Sequence, residues 1–487
     1  MLKKTRIVLA AIFFVCTTLL FLDFTGTLHT WLGWMAKIQF LPAVLAVNTL
    51  VVAGLLLLTI LFGRIYCSVI CPLGVMQDII SWINGRLKKK NRFRFRYEKE
   101  KKWTRRIVLV LFIIAMAAGA HSAAILIAPY SAYGRIASNL LAPLYQWSNN
   151  LFAWFAERAE SYAFYEKEVW IKSLPTFITA VVTFVALFIM AWKGGRKYCN
   201  TICPIGTILG FFSKRSIFVP VIDSEKCRGC GLCGRKCKSS CIDMKNHEID
   251  YSRCVACMDC IETCSEGAIR YKCRYGNSNE AHTPDNGRRA FMISTGLLAT
   301  AAAANAGKRK GLPTREMEPT VRQIPPVPAG SVSLKNFTDH CTACQLCVGI
   351  CPENVLQPSS SLSTLMQPEM RYEKGFCRPE CNRCSEVCPA GAIKPITIEE
   401  KSSVQVGHAV VNHERCVIKT DGVSCANCAR RCPVGAIRLV RDKNDRSILL
   451  PVVNEEMCIG CGACEYLCPA RPVKAIHVEG HLTHKTI

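Results

Sequence analysis

The chain has 487 residues, a formal net charge of +25 and 31 cysteines, and half of its residues are hydrophobic. This length allows three or more domains. Basic charge can indicate nucleic-acid binding, but the sequence shows no arginine stripe or aromatic stacking surface, so no nucleic-acid partner is expected. Disulfide frameworks are typical of small secreted domains and do not explain cysteines that recur at fixed short spacings.

Apolar runs in the first half of the chain are long enough to cross a bilayer. The segment 63–106 holds 13 Lys/Arg against three acidic residues, whereas 129–173 holds four Lys/Arg against four acidic residues. By the positive-inside rule, the N-terminus, residues 63–106 and the chain just after 192 are cytoplasmic. We therefore predict an α-helical membrane domain over 1–215 with four spans, at about 7–24, 41–62, 107–128 and 174–192.

A twelve-residue frame occurs twice, after the second and the fourth apolar run. The first copy reads GRIYCSVICPLG from Gly63, and the second reads GRKYCNTICPIG from Gly195. If the two halves pack with two-fold symmetry, their thiols meet at the inner membrane face. The sequence leaves open whether they hold one further cluster or act as redox-active or metal-handling dithiols; the thiols are Cys67, Cys71, Cys199 and Cys203.

Six further cysteine ladders have the spacing of [4Fe–4S] ligands. In such a ladder three thiolates hold one cluster and the fourth crosses to a neighbouring cluster. Two ladders within 216–275 predict an α+β two-cluster ferredoxin module, and clusters of this kind carry single electrons. One cluster would use Cys227, Cys230, Cys233 and Cys264, and the other Cys254, Cys257, Cys260 and Cys237, with Cys241 as an alternative to Cys237.

Residues 276–335 separate the two cysteine-rich parts of the chain. Arg288 and Arg289 precede a weakly apolar run, 293–306, and are similar to a twin-arginine export signal, which moves folded proteins. The run is short for a span, so it stays open whether it forms a fifth span or is cleaved. Several prolines over 311–330 predict a semi-extended linker.

Residues 336–487 contain the other four ladders. Sixteen cysteines suffice for four more clusters, which brings the expected number of [4Fe–4S] clusters to six, or seven with the repeated pairs. The ladders consist of Cys341, Cys344, Cys347 and Cys351; Cys377, Cys381, Cys384 and Cys388; Cys416, Cys425, Cys428 and Cys432; and Cys458, Cys461, Cys464 and Cys468.

With these motifs, residues 1–275 resemble the NapH family, the polytopic quinol-dehydrogenase subunit of periplasmic nitrate reductase systems. Residues 285–487 resemble the NapG family, its exported four-cluster partner, so the chain is similar to a natural fusion of the two. The resemblance implies that the two outer ladders, which are the first and the fourth, exchange their fourth cysteines. The two inner ladders would exchange theirs in the same way. The implied clusters use Cys341, Cys344, Cys347 and Cys468; Cys458, Cys461, Cys464 and Cys351; Cys377, Cys381, Cys384 and Cys432; and Cys416, Cys425, Cys428 and Cys388.

The resemblance also implies a quinol dehydrogenase component of anaerobic respiration. It would take electrons from the membrane quinone pool and pass them to a partner reductase or cytochrome. His121 would then either accept a quinol proton or simply pack. The chain would lie in the bacterial inner membrane, with the first ferredoxin module cytoplasmic and the C-terminal module periplasmic. A copper reductase of the maturation type and a redox-sensing regulator are the alternatives.

Overall fold

The computed structural model describes residues 2–87, 95–161, 164–274, 320–442, 445 and 447–487. Its N-terminal half is helical, because long apolar stretches there are separated by short breaks at glycine and proline. The helices are α1 (Leu2–Leu22), α2 (Thr27–Leu32), α3 (Trp34–Lys37), α4 (Phe40–Leu45), α5 (Thr49–Phe62), α6 (Ile65–Val69), α7 (Pro72–Leu87), α8 (Lys102–Ala117), α9 (His121–Ile127), α10 (Pro129–Ile136), a π-helical turn (Ala137–Leu141), α11 (Ala142–Arg158), α12 (Leu174–Gly194), α13 (Lys197–Thr201) and α14 (Pro204–Ser213).

Within the described residues, two helices are long and apolar enough to cross a membrane, α1 and α12, with 21 residues each. The other two predicted spans are not continuous helices. The second is divided into α4 and α5, because Val47 is left-handed and the Asn48 side chain caps the new helix by accepting from Val51 N–H. The third is divided into α8 and α9 at Gly119, whose φ is +77°. A four-span domain is therefore not shown.

The repeated frame has a repeated structure. Gly63 ends α5 and Gly195 ends α12, and both have positive φ, which glycine adopts without strain. Each glycine is followed by a short helix with the first cysteine of the pair and by a second helix that begins at Cys-Pro, namely α6 and α7 in one copy and α13 and α14 in the other. Proline suits the first helical position because the N–H that it lacks has no partner there.

The first ferredoxin module follows directly. Its elements are β1 (Phe218–Ile222), α15 (Leu232–Lys236), β2 (Ile242–Asp243), β3 (Glu248–Ile249), α16 (Asp259–Thr263) and β4 (Ile269–Cys273). The strands β1 and β4 pair antiparallel, and so do β2 and β3. One cysteine ladder lies between β1 and β2 and the other between β3 and β4, so the strand pairs hold both ladders in one unit.

The second module repeats this arrangement in its C-terminal half. Its elements are α17 (Leu334–His340), α18 (Leu346–Ile350), β5 (Leu356–Pro358), β6 (Pro368–Met370), α19 (Arg383–Val387), α20 (Ile398–Ser403), β7 (Val404–Val411), a 3-10 turn (His413–Arg415), α21 (Val417–Thr420), α22 (Asn427–Arg430), β8 (Ile437–Arg441), β9 (Leu449–Val453), α23 (Ala463–Tyr466) and β10 (Ile476–Thr486). The outer strands β7 and β10 pair around the inner hairpin β8–β9, whereas the hairpin β5–β6 separates the first two ladders.

The second module begins earlier than its predicted start at residue 336. Ile324 accepts a backbone hydrogen bond from Gly480, and Pro326 accepts one from Met370. Val327 is buried in the core beside Phe337. Part of the predicted linker is therefore structural from residue 320 onward. The twin arginines Arg288 and Arg289 and the run 293–306 lie outside the described residues.

The two modules contact opposite ends of α1. Near its N-terminus, Lys3 forms ion pairs with Asp259, at 3.1 Å, and with Glu262 of the first module. Near its C-terminus, Leu20 and Phe21 share a core cluster with Leu346 and Ile350 of the second module. A 21-residue helix is about 30 Å long, which equals the thickness of a bilayer core.

A buried carboxylate fixes the first module to the helices. Asp78 pairs with Arg6 of α1, with Arg196 at 2.9 Å and with Lys238 of the first module at 3.6 Å. Burial would raise the pKa of Asp78, but the positive charges of Arg196, Lys238 and Arg6 hold it well below its ordinary value. The stabilisation is therefore fully present above about pH 4 and is lost as the pH falls through the lowered pKa.

We expect Asp78→Ala to reduce the free energy of unfolding by about 3–5 kcal/mol, because it leaves buried cations without a counter-charge. The matched control is Glu168→Ala, which removes an exposed ion pair with Lys374 at 2.7 Å and should cost about 0–1 kcal/mol. Denaturant titration of the detergent-solubilised protein measures both. Equal losses in the two variants would contradict the assigned role of Asp78.

Candidate iron–sulfur sites

The structure gathers the cysteines of the first module into two four-thiol groups. Set 1 lines one cavity and contains Cys227, Cys230, Cys233 and Cys264. Set 2 lines a second cavity and contains Cys254, Cys257, Cys260 and Cys237. In each set the fourth cysteine comes from the other ladder, as the ladder spacing predicts. The sets are neighbours, because Cys260 interacts electrostatically with Cys233.

Two cysteines compete for the fourth position of set 2. Cys241 lines the same cavity as Cys237, and their sulfur atoms are 3.5 Å apart. A hydrogen bond from Cys241 lowers the pKa of Cys237 to about 7. Cys237 is therefore the more readily ionised thiol of the pair, but both remain candidates for the fourth ligand.

In the second module the fourth cysteines are placed differently from the pairing that the resemblance implies. The structure brings each fourth cysteine to the neighbouring ladder in sequence, and not to an outer or inner partner. Set 3 contains Cys341, Cys344, Cys347 and Cys388; set 4 contains Cys377, Cys381, Cys384 and Cys351; set 5 contains Cys416, Cys425, Cys428 and Cys468; and set 6 contains Cys458, Cys461, Cys464 and Cys432.

The strand pairing explains this difference. The hairpin β8–β9 connects the third ladder to the fourth, and the outer pair β7–β10 closes the same unit. The hairpin β5–β6 connects the first ladder to the second in the same way. A fourth cysteine therefore crosses over a short hairpin to the adjacent ladder. The structure therefore does not bring Cys468 to the ladder at Cys341, and the thiols of the other three implied pairings are placed differently in the same way.

The four regular ladders share one loop conformation. In each, the residues immediately before and after the second cysteine have positive φ: Gly229 and Gly231, Ala256 and Met258, Ala343 and Gln345, Gly460 and Gly462. Non-glycine residues rarely adopt this region, and such strain persists where the surroundings enforce it. The shared geometry turns three cysteines toward one point, as a cubane cluster requires.

Backbone N–H groups also point at the sulfur atoms. Ala343 N–H donates to Cys341 at 3.4 Å, Ile393 N–H to Cys388 at 3.5 Å and Ala436 N–H to Cys432 at 3.3 Å. Such bonds stabilise a thiolate and tune the potential of a bound cluster. Burial raises the pKa of Cys344 to about 11 and of Cys461 to about 12, so these thiols ionise only with a cation beside them. The residues therefore fit [4Fe–4S] clusters.

The repeated frame forms another four-thiol group, which we term the repeat site: Cys67, Cys71, Cys199 and Cys203. All four thiols are buried, and Cys203 interacts electrostatically with the other three. Cys203 accepts a hydrogen bond from Gly206 N–H at 3.3 Å. The structure thus brings together the two pairs that the sequence places 132 residues apart.

Two arginines complete the repeat site, and the sequence analysis did not assign them. Arg64 donates to Cys67 Sγ at 3.7 Å and to the Cys199 carbonyl at 3.1 Å. Arg196 donates to Cys199 Sγ at 3.9 Å and to the Cys67 carbonyl at 2.6 Å. Each guanidinium therefore bridges both copies. The Gly-Arg-x-Tyr-Cys frame, present twice, was the signal that could have identified them.

Residue placement outside these sets is also informative. His121 lies 3.3 Å from Asp339 of the second module, so it contacts that module directly. Cys16 packs against the helical core, and Cys273 is exposed at the end of β4. None of these three belongs to a four-thiol set in the described part of the chain.

Comparisons with known proteins identify the class. A family described as a 4Fe-4S binding domain matches residues 45–90 and 176–221, which contain the two repeated frames, and a 4Fe-4S dicluster domain matches 423–471. No solved structure matches. The chain is therefore an iron–sulfur protein of the ferredoxin type.

Individual relatives show which family of iron–sulfur proteins the chain belongs to. The chain is 33% identical over 217 residues to the ferredoxin-type protein NapG of Escherichia coli. These aligned residues cover 41% of the chain and 91% of NapG. The chain belongs to this family of ferredoxin-type proteins. The chain is also 34% identical to the methylamine utilization ferredoxin-type protein MauM of Methylophilus methylotrophus, over 29% of the length of the present chain. An uncharacterised protein of Methanocaldococcus jannaschii is 34% identical over 95 residues. The chain spans 65% of MauM and 37% of the archaeal protein.

Proposed function

We propose that this protein is a membrane-bound conduit that takes electrons from quinol and passes them through [4Fe–4S] clusters to a partner reductase. The observation that carries the proposal is the attachment of the two ferredoxin modules to opposite ends of α1. A protein that works on one side of a membrane does not need cluster modules about 30 Å apart along an apolar helix. The two copies of the twelve-residue frame, which resemble motifs of the NapH family, support quinol as the electron donor.

The four-thiol sets form one continuous series across this distance. Set 1 contacts set 2, and Arg64 interacts electrostatically with Cys254 of set 2 and with Cys67 of the repeat site. Cys347 of set 3 and Cys384 of set 4 pack against the same core cluster. Sets 4 and 6 are joined by the hydrogen bond from Cys377 N–H to the Cys461 carbonyl at 2.9 Å, and set 6 reaches set 5 through Cys464 and Cys428.

Two buried tyrosines join the repeat site to the second module. Tyr66 interacts electrostatically with Cys71, and Tyr130 interacts with both Tyr66 and Cys344. Both side chains are 1% exposed. Glycine at position 134 permits the close approach, because a Cβ there would lie 2.5 Å from the Cys344 carbonyl oxygen. These contacts of the repeat site with both modules support the proposal of a seventh cluster there.

A topology experiment tests the transmembrane arrangement. We expect alkaline phosphatase fused after Ile487 to be active, because that reporter folds only outside the cytoplasm, and the same reporter inserted at residue 90 to be inactive. If the two modules lie on opposite sides, a short-chain quinol added to membranes should reduce the [4Fe–4S] clusters of both modules. An inactive phosphatase after Ile487 would place the second module in the cytoplasm, which would exclude the transmembrane conduit and leave an array of clusters on the inner face.

A further inference from the structure

One cavity outside the cysteine sets is formed jointly by the helical domain and the first module. It has a volume of about 430 Å³ and opens between α8 and α14, against the first module. Ligand pockets typically have 300–1,000 Å³, are mostly apolar and place a few polar groups inside. The lining of this cavity combines five apolar residues, glycine included, with seven polar or charged ones, so it offers both an apolar surface and polar groups.

The polar interior of the cavity centres on Arg105. This residue is 4% exposed, and it donates to Glu100 at 2.6 Å and to Ser252 Oγ at 3.3 Å. Its Nε has no hydrogen-bond partner among the described residues, although it is buried. An unpaired buried donor costs free energy, so a ligand oxygen at this point would be bound favourably.

The apolar part of the cavity lining comes from two helices. It consists of Leu109 of α8 with Ile208, Phe211 and Phe212 of α14. Phe211 is 64% exposed, and Ile107 and Val110 expose the neighbouring face of α8. A ligand with a polar head and a long apolar tail fits this combination, with the tail lying along α8 and α14.

The polar end of the cavity adjoins a cluster site. Ser252 lines the cavity and stands two residues before Cys254 of set 2, a separation of at most about 7.6 Å between Cα atoms. The Ser252 carbonyl accepts from Arg64 at 3.2 Å, and Arg64 also donates to Cys67 of the repeat site. The cavity therefore lies where the series of thiol sets passes from the first module to the helices.

We propose that this cavity is the quinol-binding site, an inference that rests on the proposed function. Arg105 binds one ring oxygen, and Glu100 accepts a proton from the hydroxyl group. In the complete reaction one quinol becomes one quinone, and it loses two protons, one to Glu100 and one to water, together with two electrons. Set 2 and the repeat site would each hold an oxidised [4Fe–4S] cluster, and these two clusters would supply the one-electron acceptors that the reaction needs.

An anionic phospholipid is the competing occupant, because Lys102, Arg106 and Lys214 also line the cavity. These three cations are exposed and lie at the rim, where basic side chains beside a membrane are expected. The buried cation, Arg105, is already paired with Glu100. A buried neutral pair suits an uncharged quinol head better than a phosphate group, which would meet the Glu100 carboxylate.

Binding of a fluorescent quinol analogue, a heptyl-hydroxyquinoline N-oxide, tests the site directly. A methyl group at Gly210 would overlap the Arg105 guanidinium and lie 2.5 Å from the Ser252 carbonyl oxygen. We expect Gly210→Ala to weaken binding of the analogue about ten-fold or more. The matched control is Gly54→Ala, in the apolar helix α5, where an added Cβ meets nothing within 4 Å and binding should not change.

A second variant keeps the cavity shape. We expect Glu100→Gln to bind the analogue within about two-fold of the parent but to slow reduction by quinol about 100-fold, as loss of a general base does. Reduction by dithionite should be unchanged in both variants. Parent-like binding by Gly210→Ala, or displacement of the analogue by anionic phospholipid vesicles, overturns this site. A parent protein that neither binds the analogue nor accepts electrons from quinol overturns the proposed function itself.

Discussion

Cys67→Ala should remove about four irons from each polypeptide and stop electrons from the first module reaching the second. The physical reason is that the repeat site has four mutually interacting buried thiols, with Arg64 and Arg196 placed to offset their negative charge. Three remaining thiols cannot complete the ligand set of a stable cluster. Iron analysis of anaerobically prepared protein gives the count, and stopped-flow spectra after addition of quinol report which chromophores are reduced.

Cys16→Ala is the matched control for that experiment. Cys16 also lies in the helical half and packs against the same core, but it is a member of none of the seven four-thiol groups described above. Its iron content and reduction spectra should equal those of the parent. If Cys67→Ala also kept the parent iron content, the repeat site would be a pair of redox-active dithiols, and the series of clusters would be interrupted at Arg64.

Paired substitutions in the second module should distinguish the ligand sets by iron content alone. Cys416 and Cys468 line the same cavity, so the double variant Cys416→Ala, Cys468→Ala should lose one cluster, about four irons. The double variant Cys416→Ala, Cys388→Ala should lose two clusters, about eight irons, because Cys388 interacts with Cys341 and Cys344.

The pairing implied by the NapG resemblance gives the reverse result. It places Cys416 with Cys388 and Cys341 with Cys468, so the first double variant would lose about eight irons and the second about four. The two variants carry the same number of substitutions in the same module, and each is therefore the control for the other. Equal losses of about eight irons in both would exclude both pairings.

Much of the site could be predicted from the sequence, because cluster ligands are local. Three thiolates must come from one tight loop, so the ladder from Cys227 to Cys233 indicates its own set without knowledge of the fold. The spacing also predicted that the two ladders of the first module exchange their fourth cysteines, because a single short connection joins these ladders. The structure places the fourth cysteines differently from the implied pairing where four ladders offered several partners, because strand pairing, which is non-local, brings particular ladders together.

In the helical half, too, some features could be predicted from the sequence and others could not. Hydropathy identified α1 and α12, whose length and composition suffice. It did not detect the breaks at Val47 and Gly119, because a backbone turn of one or two residues hardly changes an average over a span. Arg105 looked like one of many basic residues near a membrane, and only its burial beside Glu100 and Ser252 separates it from the others.

The sequence by itself determined the cofactor class, the number of thiol ladders and the duplication of the Gly-Arg-x-Tyr-Cys frame, since each depends on residues a few positions apart. The tertiary structure alone decided which ladders exchange their fourth cysteine, that the duplicated frames meet with their arginines crossed, and that the modules attach to opposite ends of α1. Those features depend on contacts between residues far apart in the sequence, such as Cys416 with Cys468, Arg64 with Cys199 and Lys3 with Asp259, and no local pattern specifies them.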